Sequence, residues 1–229
     1  MRALAILAAG ASTRLGEDKV LADVGGRSVL AWSLAAAEAS RTFEEMVVVA
    51  APAALSRIAD ALAREGSDAR VIAGGATRTA SSWAALDALP NATVIAIHDA
   101  ARPFVPPSLF ERCVEAAERD GAAAAGLRLA ETVRRVDESG GSLEEVEREG
   151  LWTAQTPQAF LRELLVRARE AARDRSFTDD AAAVTALGVG VRMIPGDRRN
   201  LKITTLEDLA YARELADKGL AAIATRAIR

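Results

Sequence analysis

Apolar and polar positions along the chain alternate between two periods. Short runs rich in Ala, Val and Ile, of the kind that forms a strand buried on both faces, occur at 3–8, 46–51, 70–73, 94–98, 122–129 and 190–195. Between them, amphipathic stretches predict helices over 28–40, 53–65, 77–88, 107–119, 160–173, 179–187 and 205–217. Strands alternating with helices build βαβ units, so the pattern predicts an α/β fold with a mostly parallel sheet flanked by helices. Several helix ends are legible: Ser28 as an N-cap, Pro52 as an opening residue, Gly66 and Gly121 as closing residues, and Thr205 ahead of acidic Glu207 and Asp208.

One stretch breaks the alternation. Residues 131–150 crowd charges around Ser139, Gly140, Gly141 and Ser142, which predicts a protruding β-hairpin of two polar strands. A hairpin alone buries too little to be stable, so this arm either packs on a second subunit, as a dimerisation element, or is a solvated loop. No linker or repeat interrupts the chain, and 1–229 reads as a single domain with the arm inside it.

Composition narrows the partners. With 29 Lys and Arg against 32 Asp and Glu, the formal net charge is −3, and the broad positive field that nucleic acid or an anionic membrane surface requires is lacking. A polyanionic ligand must then meet a local basic cluster. Aromatic residues make up only 4% of the chain, so Ala, Val, Leu and Ile carry the packing. The single Cys113, in the helical SLFERCVEAAERD, reads as a buried thiol, and a chain with no internal disulfide points to the cytoplasm. The start, Arg2 followed by ALAILAA, looks superficially like a signal peptide. Its uncharged run ends at Arg14, far short of a membrane span, and reads as a first buried strand.

Candidate chemistry begins at ALAILAAGASTRLGEDK, residues 3–19. Ala8, Ala9 and Gly10 keep side chains away so that backbone N–H groups can approach phosphate oxygens, and Arg14 and Lys19 supply charge. The spacing is neither G-x-G-x-x-G nor G-x-x-x-x-G-K-[ST], which indicates neither a hydride-transfer enzyme nor a P-loop ATPase. HDAARP at 98–103 follows the apolar run TVIAI, at the strand end where open α/β sheets bind ligands. Asp99 there can hold a metal or a hydroxyl, or cap a helix; Arg102 can grip a phosphate or pair with Asp99. His98, the one histidine, has no nucleophile partner at a telling spacing and reads as structural. GGATRTASS at 74–82 sets Gly74 and Gly75 before Arg78, Ser81 and Ser82, a pattern suited to base and ribose contacts or to a turn with an N-cap. In WTAQTPQAF and FTDDAA, Trp152 reads as packing and Thr178 as a helix cap. In GDRRNLKITTLEDL, a short strand would point Lys202 into a cleft or let it snorkel to solvent.

In this order, LAAGASTRLGEDK, GGATRTASS, HDAARP, GLWTAQTPQAF, FTDDAAAV and GDRRNLKITTLEDL closely resemble, over nearly the whole chain, the 2-C-methyl-D-erythritol 4-phosphate cytidylyltransferases of the non-mevalonate isoprenoid pathway. The resemblance implies a Rossmann-like nucleotidyltransferase fold and a homodimer joined through the 131–150 arm. It further implies the reaction of CTP with methylerythritol phosphate to give CDP-methylerythritol and pyrophosphate. On the matched positions, Ala8, Ala9, Gly10, Arg14 and Lys19 correspond to the triphosphate loop, and Gly75 and Ser81 to cytidine contacts. Asp99, Ala100, Ala101 and Arg102 correspond to the segment between nucleotide and sugar phosphate. Thr132, Arg148 and Thr178 correspond to methylerythritol phosphate contacts, with Thr132 and Arg148 reaching in from the neighbouring subunit. Lys202 corresponds to a second cation at the reacting phosphate. The chain departs from the family pattern at Leu7, Ser12 and Ala76.

A sugar phosphate that is already mostly dianionic needs no general base. The expected catalytic groups are therefore cations: Lys19 and Lys202 flanking the α-phosphate and Arg14 on the leaving pyrophosphate, with Mg²⁺ bridging phosphate oxygens and Asp99 as its candidate ligand, directly or through water. Two alternatives share these motifs: a cytidylyltransferase acting on ribitol 5-phosphate, and a non-catalytic nucleotide-binding regulator.

Overall fold

The first strand, β1 (Arg2–Leu7), is buried from Ala3 onward and lies inside the sheet. In the computed structural model, residues 1–10, 19–173 and 175–219 are described. Two short antiparallel pieces, β2 (Asp23–Val24) and β3 (Arg27–Ser28), follow, and their turn places Gly25 and Gly26 at φ 62° and 82°, where a side chain would be strained. Helix α1 (Val29–Ser40) starts where expected, with Ser28 Oγ accepting from Ala31 N at 3.1 Å. Then come β4 (Glu45–Ala50), a 3-10 turn opened by Pro52, and α2 (Leu55–Glu65), closed by Gly66 in the left-handed conformation. The chain continues through β5 (Arg70–Ala73), α3 (Arg78–Ala88), β6 (Val94–Asp99), α4 (Pro107–Asp120) and β7 (Ala122–Arg128). The arm is β8 (Val133–Val136) and β9 (Ser142–Val146), and β10 (Trp152–Leu161), α5 (Arg162–Ala172), α6 (Asp180–Thr185), β11 (Arg192–Pro195) and α7 (Leu206–Asp217) complete the order.

Seven strands form one sheet in the order β11-β7-β10-β6-β1-β4-β5, parallel except for β10, which runs antiparallel to both neighbours. Alternation along β1 divides the core. Leu4 and Ile6 pack with Leu30 and Leu34 of α1, Ile58 of α2 and Phe110 of α4 on one face. Ala3, Ala5 and Leu7 pack with Leu86 of α3 and Leu164 of α5 on the other. A third cluster of Val24, Phe104, Ile203 and Leu209 fastens α7, whose first turn has a Thr205–Asp208 capping box, beside the strand ends. Strand order reverses between β1 and β6, so a crevice opens at their carboxyl ends, where such sheets bind ligands.

Six expected strands form with ends shifted by a residue or two. The seventh, β10, was hidden because its middle is polar: Gln155, Thr156 and Gln158 are nearly fully buried and satisfied by hydrogen bonds, and the pairing with β7 shifts register between Ala154 and Gln158. The helix expected over 160–173 accordingly begins at Arg162, since Phe160 and Leu161 still pair with β6. The helix expected over 179–187 shortens to α6, and its cap is Asp179, accepting from Ala182 N at 2.8 Å, in place of Thr178. The arm forms the expected hairpin, laddered by Arg134–Glu145 and Arg135–Glu144 pairs at 3.5 and 2.6 Å, with Val136 and Leu143 exposed. Among the described residues no helix is long and apolar enough to cross a membrane.

Candidate active site

The crevice is a cleft of about 300 Å³. Ala9 and Gly10, leaving β1, form one wall with Lys19; Gly75, Ala76 and Thr77 form the opposite wall. The floor is backbone. Ala8 N donates to Val49 O at 2.7 Å and Ala100 N to Leu7 O at 3.0 Å, and both residues are buried. Ala8 and Ala100, expected as nucleotide contacts, therefore spend their N–H groups on the sheet and support the lining residues from below.

The second wall is set by a close approach. A Cβ at Gly75 would collide with Ala80 Cβ, so only glycine lets this turn sit against the start of α3. Ser81 Oγ accepts from Gly75 N at 3.2 Å and donates to Thr77 O at 3.0 Å, while Thr77 Oγ1 caps the helix by accepting from Ala80 N at 3.0 Å. Gly75 and Ser81, expected as cytidine contacts, both line the cleft, and the serine holds the turn.

Asp99, at the end of β6, is the centre of charge. Its Oδ2 lies 2.8 Å from Lys202 Nζ and 4.0 Å from Arg102 Nε, and its Oδ1 accepts from Arg78 Nε at 3.3 Å. Burial pushes this carboxyl up, yet Arg78, Lys202 and Arg102 outweigh burial and hold it far below the usual carboxylate range. Arg78 also donates to Asp180 Oδ2 at 2.7 Å; burial would lower its pKa, but Asp180 and Asp99 raise it above the ordinary guanidinium value. Arg78 Nη2 and Arg102 Nε are buried donors without a hydrogen-bond partner among the described residues, so the site offers more donor capacity than its carboxylates use. The reading of Asp99 as a helix cap is excluded, since α4 begins only at Pro107.

Lys202 reaches Asp99 from a segment that joins no sheet, so the expected short strand does not form. Ile203 N donates to Ala101 O at 2.8 Å, which lays this segment along the HDAARP loop, and Arg102 Nη1 donates to Asn200 O at 2.8 Å. His98 is fully buried with its ring edge-on to Phe110. Thr156 Oγ1 accepts from Asp99 N at 3.0 Å, so its own hydrogen is available for His98 Nδ1, also at 3.0 Å. That leaves the imidazole proton on Nε2, facing Arg102 O at 3.4 Å. Burial pushes the imidazole down to about 4, which makes it a neutral prop, as its sequence context suggests.

Ala9, Gly10, Lys19, Gly75, Ser81, Asp99, Ala101 and Lys202 thus meet at one cleft, from positions spread over most of the chain. Arg102 stands beside it, only 11% exposed. Thr132, Arg148 and Thr178 do not line the cleft of their own chain; Arg148 Nη1 donates to Ala130 O in the arm. Arg14 and Ser12 lie outside the described residues. Arg78, singled out with Ser81 and Ser82 in a pattern suited to base and ribose contacts or to a turn with an N-cap, follows the capping Thr77 and pairs with Asp99 and Asp180. Asp180 and Thr156 lie in the motifs FTDDAAAV and GLWTAQTPQAF but have no role legible there, since each matters through a partner distant in sequence.

The family model described as IspD, 2-C-methyl-D-erythritol 4-phosphate cytidylyltransferase, matches residues 3–217. A 2-C-methyl-D-erythritol 4-phosphate cytidylyltransferase of Deinococcus radiodurans is 47% identical over 92% of this chain and 87% of its own. A bifunctional enzyme IspD/IspF of Anaeromyxobacter is 42% identical over 96% of this chain, which spans only 58% of that relative. Among solved structures, the 2-C-methyl-D-erythritol 4-phosphate cytidylyltransferase of Thermus thermophilus superposes with a TM-score of 0.79 at 36% identity, covering 95% of this chain and all 100% of that one. The 4-diphosphocytidyl-2C-methyl-D-erythritol synthase of Anaerococcus prevotii reaches 0.83 at 27% identity, covering 94% and 98%. Fold and sequence agree, and the chain belongs to the IspD family of 2-C-methyl-D-erythritol 4-phosphate cytidylyltransferases.

Proposed function

We propose that the chain transfers the cytidylyl group of CTP to 2-C-methyl-D-erythritol 4-phosphate, giving CDP-methylerythritol and pyrophosphate, as the names of its relatives say of them. The observation that carries this reading is the meeting of Lys19, Arg78 and Lys202 in one cleft where, among the described lining residues, Asp99 is the one carboxylate. Cations gathered on one cleft from three segments suit a ligand rich in phosphate.

A phosphate oxygen of the sugar phosphate attacks the α-phosphorus of CTP; the new P–O bond forms as the bond to the β-phosphate oxygen breaks, and its electron pair leaves with pyrophosphate. The nucleophile, with a second pKa near 6, is mostly dianionic at neutral pH, so no proton has to be removed. A buried neutral His98 fits a reaction without a general base. The barrier is alignment and repulsion between anions. Lys19 and Lys202 flank the α-phosphate, and Lys202, held by Asp99 at 2.8 Å, turns to the phosphate on its flexible stem. Arg14 serves the leaving pyrophosphate, the backbone at Ala9, Gly10 and Gly75 faces the nucleotide, and Ala101 and Arg102 face the sugar phosphate.

Among the described residues no group of three acidic, histidine or cysteine side chains could hold a metal alone. One cleft carboxylate fits Mg²⁺ shared with substrate phosphates, the usual arrangement for this ion. Asp99 would hold it, directly or through water, and the ion would supply neutralising charge to the triphosphate. Thr132 and Arg148, remote from their own cleft, fit an arm that crosses to the cleft of a second subunit in a homodimer, where Thr178 joins them around methylerythritol phosphate. Nothing in the charge pattern favours nucleic acid or membrane as a partner, and the reading places the enzyme in the cytoplasm.

Pyrophosphate release with CTP and either methylerythritol phosphate or ribitol 5-phosphate tests the assignment. Turnover dependent on methylerythritol phosphate is expected; a preference for ribitol 5-phosphate, or CTP binding without release, overturns it.

A further inference from the structure

Backbone outside a sheet has no ladder to hold it, and the segment that carries Lys202 belongs to no strand or helix. Besides the Ile203 N–H on Ala101 O, it is anchored by Asn200, which is fully buried. Asn200 Nδ2 donates to Gln155 Oε1 at 3.1 Å and to Thr156 O at 2.8 Å; its N–H donates to Asp197 O at 3.1 Å, and its carbonyl accepts from Arg102 Nη1 at 2.8 Å. The orientation of both amides follows from backbone groups that cannot flip. Asp197 N donates to Gln155 Oε1 at 3.4 Å and Asp197 O accepts from Gln155 Nε2 at 3.0 Å, which fixes the glutamine. The Thr156 carbonyl demands a donor, which fixes the asparagine. The fit is close: a Cβ at Gly196 would collide with Gln155 Oε1.

Three parts of the site therefore meet at one residue: its side chain holds β10 and its backbone carbonyl takes the Arg102 bond. β10 arrives through Gln155 and Thr156, and Thr156 also receives the Asp99 N–H; the HDAARP loop arrives through Arg102; Lys202 follows two residues later. Asn200 itself does not line the cleft. We infer that Asn200 is a positioning residue: by tying the Lys202 segment to β10 through its side-chain amide, it sets where the Lys202 ammonium stands beside Asp99. Lysine ends a flexible stem, so the placement of its Cα limits the volume its charge can explore. A displacement of about 1 Å in such a group costs on the order of a hundredfold in rate.

This inference rests on the reading of Lys202 as a cation at the reacting phosphate, and a double-mutant cycle separates the two. Pyrophosphate release by the full chain is measured for the parent, Asn200→Ala, Lys202→Ala and the double variant, with circular dichroism melts to establish folding. Asn200→Ala is expected to lower kcat by roughly tenfold to a hundredfold with little change in KM for CTP. In the Lys202→Ala background it should cost no more than about threefold, because the group it positions is gone. Equal losses in both backgrounds would mark Asn200 as structural only and overturn the inference while leaving Lys202 in place. Near-normal turnover of Lys202→Ala would refute the reading of Lys202 itself. Should Asn200→Ala not fold, Gln155→Met removes one acceptor of the Asn200 amide, and the same loss, absent without Lys202, is expected; its persistence there overturns the inference.

Discussion

Lowering the pH should expose how His98 is held. Its imidazole is fully buried and neutral down to about pH 4, whereas an unfolded histidine takes its proton near 6.5. Between these values the unfolded chain binds one more proton than the native one, so stability rises with pH through this window and is lost as pH falls. From pH 7 to pH 5 the loss assigned to His98 is about 2 kcal/mol, and it approaches about 3 kcal/mol below pH 4, where the native imidazole titrates too. Asp99 and Arg102, the charged groups facing the ring, stay ionised over this range: three cations hold the first far below it, and the guanidinium lies far above it. Other carboxylates also titrate on acidification, so the assay is a difference. Urea unfolding at pH 5, 6 and 7 is compared between the parent and His98→Asn, whose amide can still accept from Thr156 without titrating. The parent should lose about 2 kcal/mol more than the variant. Parallel losses would refute the claim that burial keeps His98 neutral.

Lys19→Ala and Lys202→Ala should each lower kcat by roughly a hundredfold or more in pyrophosphate release, the scale of losing a preorganised charge; near-normal turnover removes them from the mechanism. Asp99→Asn strips Arg78, Lys202 and Arg102 of their shared counter-charge, and a loss of about 3 kcal/mol in urea unfolding is expected. Added pyrophosphate should raise the melting temperature of that variant more than that of the parent, and an equal rise counts against the cleft as a phosphate site. Arg148→Ala should raise KM for methylerythritol phosphate and leave KM for CTP nearly unchanged; the reverse pattern contradicts an arm that reaches the sugar phosphate.

Most of the sheet was legible because a parallel strand buried on both faces is a run of apolar residues, as in β1, β4 and β6. The caps at Ser28, Gly66 and Thr205 were legible because they are local. β10 was not, and the reason lies in what it does. A buried strand that also supports a polar site must carry hydrogen-bonding side chains inward, so Gln155, Thr156 and Gln158 stand where a sequence pattern expects valines. Their partners are the Asp197 backbone, the Asp99 N–H and Asp179, all remote in the chain and invisible to any short window.

The same argument explains which half of the cleft could be read. Small residues and glycines at the ends of β1 and β5 announce a backbone surface, because only their local geometry matters; Gly75 is needed simply to clear Ala80. The charged half is built by pairing. Arg78, Asp99, Asp180 and Lys202 each look like ordinary surface charges in isolation, and an acidic chain offers many such residues. What separates them is that a carboxylate only 11% exposed lies beside three cations from three segments, so that each cation is held and aimed before any substrate arrives. Prepaid orientation of this kind lets charge stabilise a transition state without reorganising at the moment of reaction. It is a property of the assembled sheet, and it is why Asp99, acidic in a site for anions, belongs there: without it the cations would repel one another and turn to solvent.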